Sequence, residues 1–377
     1  MKKKHSHSSL YIGLISGTSM DSIDAAIVDI DNRNSKIIGT LSKRYPDTLR
    51  DNLLRACRYW KETNIDQLGQ LDRWVGELFR DAAIELMEKY GISSHNVIAI
   101  GSHGQTIRHQ PNSNKPFTMQ IGDPNIISSG TNITTVADFR RRDIAVGGEG
   151  APLTPMFHHL LFHSDHARRI VINIGGITNL TILNKNIDET IGFDTGPGNT
   201  LIDAWTKKNI NQPYDDEGKW ASQGTSNTKL LATMLSDQYF NNYYPKSTGF
   251  EYFNMNWLEK HLTNKKINPI DIQRTLVCLT AESIKKAIKE FQISVDEAIF
   301  CGGGVKNNLL MNEIKRRFKG IKITSTSDYG IDIDFLEAAA FAHLAKTTLS
   351  KKTGNIISVT GAKKKEILGG IYLAGNH

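Results

Sequence analysis

Apolar and polar positions alternate along residues 10–16, 25–30 and 36–41, the period of strands with one buried face. A polar turn from Gly17 to Asp21 joins the first two. The period then lengthens to that of a helix. Leu68, Leu71, Trp74, Val75, Leu78, Phe79, Ala82, Leu86 and Met87 share one stripe, which predicts an amphipathic helix whose apolar residues are core. Residues 96–100 predict a buried strand, followed by a loop at 101–105 of sequence Gly-Ser-His-Gly-Gln.

The second half repeats this order. Strands are predicted at 169–174 and 177–183 around a Gly175-Gly176 turn, and a third ends at Phe193. Helices follow at 201–208, 229–235 and 275–291, then a strand at 297–300, a helix at 308–318, a strand at 322–326 and a helix at 335–346. Each half reads as a hairpin, a third strand and then alternating helices and strands. Two such halves predict an α/β protein of two lobes with a ligand cleft between them.

Length agrees, since 377 residues suggest two domains at about 150 residues each. Cys57, Cys278 and Cys301 are far apart and lie in apolar company, which fits small core residues in a reducing compartment. The basic start MKKKHSHSS is followed by too short an apolar run for a signal peptide, and no run reaches a membrane span. A cytoplasmic protein without membrane contact is expected. The net charge of +7 comes from scattered residues without interleaved aromatics, which argues against nucleic acid and suits an enzyme that steers anionic ligands.

Four turns combine glycine with small polar residues after a predicted strand: GTSMDSID (17–24), NIGGITN (173–179), DTGPGN (194–199) and GGGVKN (302–307). Glycine lets a backbone approach a ligand, and successive N–H groups in such turns form anion-binding nests. Thr18 and Ser19 add hydroxyl donors, while Asp21 and Asp24 suit a hydrated Mg²⁺ near phosphates. A single turn of this kind is ordinary turn chemistry. Four at strand ends, two of them opening matching hairpins, favour a phosphate clamp. The Walker lysine loop, a complete GxGxxG, the GxSxG elbow and HExxH are all missing from the sequence.

In this order, GLISGTSMDSIDAA, IGSHGQTIRH, VADFRRRDIAVGGEGAPL, NIGGITNL, GFDTGPGN, CGGGVKNN and VTGA cover nearly the whole chain and resemble the anhydro-N-acetylmuramic acid kinase family. The resemblance implies the superfamily of acetate and sugar kinases, heat-shock chaperones and actin, with two RNase H-like lobes around an ATP cleft. It implies a first lobe at 1–135 completed by 350–377, a second lobe at 136–349, and a homodimer. The implied reaction takes ATP, water and 1,6-anhydro-N-acetylmuramic acid, an amino sugar, to N-acetylmuramic acid 6-phosphate and ADP. Gly17, Thr18, Ser19, Met20, Asp21, Ser22, Ile23 and Asp24 become the first phosphate loop, with Asp21 on Mg²⁺ through water. Gly175, Gly176 and Asn179 become the second loop, and Gly302, Gly303, Gly304 and Asn307 the adenosine side. Ser22 and Glu149 depart from the family's usual Gly and Gln.

The chemistry needs a base for water, and a carboxylate is the natural one. Asp194 stands at a strand end before glycines, where residue type alone favours a turn or helix-capping role; the resemblance reverses that and makes it the candidate base. Glu337 opens an apolar helix, where carboxylates often only complement the helix dipole. The resemblance makes it a second substrate-side carboxylate. Arg140, Arg141 and Arg142 are candidates for the sugar's lactyl carboxylate, against a solvated charged loop; the sequence leaves open which of them points inward, and Arg140 is carried among the expected substrate residues. His103 and Gln105 are expected either to bind sugar hydroxyls or to brace the loop that carries them, and Gly196 and Asn199 are further expected substrate contacts. His159 and His163 have zinc-pair spacing, but without a third ligand the structural reading is favoured for them and for His158 and His166.

Overall fold

The computed structural model describes residues 9–17, 20–31, 35–263 and 266–375. The chain divides into two compact units, one drawn from 1–157 and 330–377, the other from 158–329.

The sheet of the first unit contains β1 (Leu10–Ser16), β2 (Ser22–Ile30), β3 (Ser35–Arg44), β4 (Val97–Gln110), β5 (Phe117–Ile121) and β6 (Thr135–Ala137). In the second unit lie β7 (Arg169–Ile174), β8 (Ile177–Leu183), β9 (Ile191–Pro197), β10 (Glu297–Cys301) and β11 (Lys322–Ser325), while β12 (Gly370–Tyr372) returns to the first sheet. The first sheet runs β12-β6-β4-β1-β2-β3, with β5 paired to β4, and the second runs β11-β10-β7-β8-β9. In each, three consecutive strands form an antiparallel meander, a later strand pairs in parallel with its first member, and a further strand pairs in parallel with that one. This is one RNase H-like order used twice.

Local sequence explains the elements. The predicted amphipathic helix spans Ile65–Lys89 and starts at a capping box, in which Asn64 and Gln67 satisfy each other's backbone N–H. Leu71, Val75, Phe79, Ala82, Ala83 and Leu86 are buried under β1 and β2 in an aliphatic core. The core of the second unit is aromatic, built around Phe193, Trp205, Phe240, Phe253, Trp257 and Phe300.

Two expectations change. Residues 101–105 are not a loop. Strand β4 continues through them to Gln110, because Gly101 pairs with Gly13 and Gln105 with Ser16, and β5 then extends the ladder. The division between units also falls away from 135/136 and 349/350. Strand β6 pairs with β4, and helix Leu336–Leu349 packs on β1 and β4, so 136–157 and 330–349 stay with the first unit. A Cβ on Gly13 would strike the Ala338 carbonyl, and one on Gly101 the Phe341 carbonyl. The helix therefore rests on bare sheet backbone, with its Ala338, Ala339, Ala340, Ala342 and Ala345 buried. Among the described residues no helix is long and apolar enough to cross a membrane.

Candidate functional site

Strand β1 ends at Ser16, whose hydroxyl donates to the Ser22 carbonyl at 2.8 Å across the turn to β2. Gly17 O accepts from Met20 N and from the Gln105 side chain, both at 3.3 Å. Thr18 and Ser19, expected on phosphate, lie outside the described residues. Met20 and Ile23 cannot present side chains to a ligand, since both are in the core at 2% and 0% exposure. They anchor the loop from below, Met20 with a left-handed φ of 52°. Gln105, expected on the sugar, is likewise fully buried and braces the loop through Gly17.

Asp21 is exposed, and Ser22 and Asp24 are half-buried. Burial pushes the Asp24 carboxyl up to about 6, hydrogen bonding from Ser42 pulls against this, and the Asp21 and Asp334 charges push further up. No group of three or more His, Cys, Asp or Glu side chains gathers as a metal set among the described residues.

A second group lies at the same end of this sheet. Between Leu14↔Ser102 and Ser16↔Gln105, His103 and Gly104 together oppose Ile15, which makes a β-bulge. Gly104 takes a φ of +75°, and a Cβ there would strike the Ile121 carbonyl, so the bulge needs glycine. The bulge turns His103 onto Phe341, with ring centroids 4.7 Å apart, and onto Arg140. Arg140 Nε donates to His103 Nε2 at 2.8 Å, and Nη1 donates to the Gly150 carbonyl at 2.9 Å. Burial lowers the Arg140 guanidinium to about 10, opposed by the charges of Glu337 and Asp143. Glu337, in the first turn of the alanine-rich helix, is pushed upward by burial, pulled down by Arg140 and pushed up again by Asp24. Of the three arginines, Arg140 is thus the one turned to these carboxylates. Arg141 pairs with Asp138 at 2.7 Å and is exposed, as is Arg142.

Asp143 supports this group, and motif reading did not single it out. It is fully buried and accepts from Gly150 N at 2.8 Å, Asn355 Nδ2 at 2.8 Å and Thr360 Oγ1 at 2.9 Å. It thereby ties the glycine loop after Arg140 to the VTGA segment.

In the second unit, cross-strand register aligns Cys301, Asn173, Asn179 and Asp194 on neighbouring strands β10, β7, β8 and β9. Paired residues share a sheet face, so the two amides and the carboxylate form one polar row. Asp194 is half-buried and held on three sides. Its N donates to Lys246 O at 3.1 Å, its carbonyl accepts from Tyr239 Oη at 2.7 Å, and its Oδ2 accepts from Thr248 N at 2.9 Å. Tyr239 and Thr248 come from a segment with no motif signal, far along the chain.

The glycine loops interlock. Gly198 N and Thr200 N donate to Gly176 O at 2.8 and 3.1 Å, and Asn199 N donates to Gly175 O at 2.8 Å. Thr280 Oγ1, from helix Pro269–Glu290, donates toward the Pro197 and Gly198 carbonyls at 3.0 and 3.1 Å. These bonds commit the backbone N–H groups of Gly198 and Asn199 to the loop itself. Gly196, expected at the substrate, is buried, and its Cα faces the Phe240 ring. Gly302 has a φ of +81°, Gly303 is exposed with open space above it, and Gly304 is packed on Ile174. Asn307, expected at the nucleotide, is the N-cap of helix Asn308–Arg317, its Oδ1 accepting from Leu310 N at 3.0 Å. Sequence reading missed this because an asparagine after a glycine turn serves either purpose.

Three of the four histidines take structural places, and His166 is exposed. His158 Nδ1 meets Thr181 Oγ1 at 2.8 Å, His159 Nε2 meets Asn184 O at 2.9 Å, and the rings of His159 and His163 stack 4.6 Å apart. All three cysteines are buried thiols outside any disulfide.

The model of the anhydro-N-acetylmuramic acid kinase family matches residues 9–374. An anhydro-N-acetylmuramic acid kinase of Coxiella burnetii is 52% identical over 363 residues, covering 96% of this chain and 97% of that protein. One of Shewanella sediminis is 48% identical over 365 residues, covering 97% and 98%. A solved ROK family glucokinase from Streptomyces griseus, in complex with glucose and AMPPNP, matches at 13% identity and a TM-score of 0.42, covering 90% of this chain and 99% of that one. That likeness is too loose to bear on function.

Proposed function

We propose that this chain, which belongs to the anhydro-N-acetylmuramic acid kinase family, phosphorylates 1,6-anhydro-N-acetylmuramic acid at the expense of ATP and opens the anhydro ring with water. The product is N-acetylmuramic acid 6-phosphate, a step of cell-wall recycling. The family match over residues 9–374 carries this reading.

Asp194 is the general base. Thr248 N on Oδ2 and Tyr239 on the main chain hold its carboxylate in one orientation, as proton abstraction from water requires. The water oxygen bonds to C1, the C1–O6 bond breaks, and O6 takes the γ-phosphoryl group as ADP leaves. The proton taken by Asp194 passes to solvent. Glu337 assists at the anomeric side, where a second carboxylate is the usual partner in sugar-bond hydrolysis. Arg140 takes the lactyl carboxylate, since two of its nitrogens are already fixed by His103 and Gly150. The turn at Gly17, the loop at Gly175 and Gly176, and Gly302 and Gly303 serve the nucleotide. Asp21 and Asp24 have the oxygen chemistry that Mg²⁺ takes beside phosphates, where the ion would neutralise phosphate charge. The reading includes a cytoplasmic homodimer, which sedimentation equilibrium tests.

ADP release with Mg²⁺-ATP, with and without the anhydro sugar, is the deciding measurement. Turnover that requires the sugar, and falls by about two to four orders of magnitude in Asp194→Asn while ATP still binds, is expected. No sugar-dependent turnover overturns the substrate. In ¹⁸O-water the label enters C1 of the product. Its absence there returns the chain to a conventional sugar kinase.

A further inference from the structure

The glycine-rich bulge of β4 places a histidine against an arginine, an uncommon pairing because both side chains can be donors. The hydrogen bonds resolve it. His103 Nδ1 lies 2.9 Å from the Gly104 carbonyl, which can only accept, so Nδ1 carries the proton. Arg140 Nε, at 2.8 Å from Nε2, can only donate, so Nε2 presents its lone pair. The network closes for one species alone, the neutral Nδ1–H imidazole. A protonated ring would set two N–H groups against each other.

We infer that His103 is a positioning residue for Arg140: its neutral imidazole holds the guanidinium by Nε, Gly150 O holds Nη1, and the Nη2 end is left to meet the anionic group of the substrate beside Glu337. This rests on the kinase reading and revises the expectation that His103 touches the sugar. Three surroundings enforce it. His103 is 7% exposed and packs against the Phe341 ring at 4.7 Å between centroids, so the ring is not free to turn. Burial, the adjacent Arg140 charge and the nearby His109 all push its pKa well below the usual histidine value, while the bond to Gly104 O pulls upward. Gly150 is itself fixed by Asp143 through its N–H at 2.8 Å. Arg140 therefore has two clamps on two separate segments, and losing either frees the fork to rotate. An arginine clamped in advance loses less entropy when it binds a carboxylate.

A double-mutant cycle on kcat/KM for the anhydro sugar tests the assignment, with the wild type's own sugar-dependent turnover deciding the kinase reading separately. His103→Leu, which keeps the packing on Phe341 but not the acceptor, is expected to lose about ten- to a hundredfold, mainly in KM, as for a hydrogen bond to a charged group. His103→Gln, whose amide oxygen stands near the place of Nε2, recovers most of that. In an Arg140→Ala background His103→Leu costs nothing further. Independent, multiplying losses in the double variant, or a glutamine variant as poor as the leucine one, overturn the assignment. Should His103→Leu not fold, His103→Asn, whose amide falls short of Arg140, takes its place in the cycle. A readout without turnover is the ¹⁵N spectrum of His103. The Nδ1–H tautomer, still neutral below the ordinary histidine value, is expected, and titration near that ordinary value overturns the proposal.

Discussion

The two sheets share a strand order and strand directions, yet they carry different chemistry at comparable strand ends. In the first unit a helix lies on bare backbone at Gly13 and Gly101, and this close seat brings an ionisable group, Glu337, beside Arg140 and Asp24. In the second unit helix Pro269–Glu290 packs through Leu276, Val277, Leu279, Thr280 and Ser283. There the polar surface is mostly amides and backbone, with Asp194 as the carboxylate among them. One topology thus supplies two kinds of site. Thin, alanine-on-glycine packing lets a charged group stand over the sheet, whereas thick side-chain packing leaves loop backbone to do the binding.

The contrast can be broken most severely at Gly101. Gly101→Val drives a side chain into the Phe341 carbonyl, so the helix must lift from the sheet. A loss of about 3 kcal/mol or more in urea unfolding is expected, as for overpacking against an unyielding backbone. A melting temperature equal to wild type would show that the helix seat is soft.

A smaller effect sharpens the electrostatic side. Burial raises the Asp24 pKa from 3.8 to about 6, so the folded chain keeps its proton where the unfolded chain has lost it. Native protein binds more protons than unfolded across that window, and Asp24's contribution to stability falls as pH rises from about 4 to about 6. Asp24→Asn removes this fall. Relative to wild type it should gain on the order of 1 kcal/mol between pH 4 and pH 7.5, a figure reduced by the partial exposure of the carboxyl. Denaturant midpoints at both pH values check it, and a constant wild-type-to-variant difference would count against a buried carboxyl.

The mildest test belongs to the second unit. Asn307→Ala removes the cap on Leu310 N and is expected to cost about 1 kcal/mol. Nucleotide affinity measured by calorimetry should stay near wild type. A large loss of ATP binding with little loss of stability would return Asn307 to the ligand.

Periodicity made most elements readable before any tertiary contact. The helix from Ile65 to Lys89 stood out by its stripe, and strands β7, β8 and β10 by short apolar runs between turn residues. It failed at 101–105, where glycine and polar residues look like a loop but sit inside β4. Glycine there serves a helix pressed on the sheet and a bulge. Both are non-local demands that a window of sequence does not contain. Asp194 and Glu337 could be named from type and motif. Tyr239, Thr248, Asp143 and Thr280 could not, because each acts on a residue tens of positions away and none belongs to a glycine-rich turn.

What the sequence determined by itself is the chemistry available: two α/β halves, four glycine turns, a small set of carboxylates and arginines, and membership of one kinase family. Spacing and residue type suffice for these because they are local, and because the motifs recur in fixed order. Only the tertiary structure decided which of those groups stay available. It sent Met20, Ile23 and Gln105 inward, committed Asn307 to a helix cap, and turned Arg140 rather than Arg141 or Arg142 toward Glu337. The reason is that burial and hydrogen-bond partnership are properties of neighbours in space. A donor that the fold has already satisfied is no longer free to bind, whatever motif it belongs to.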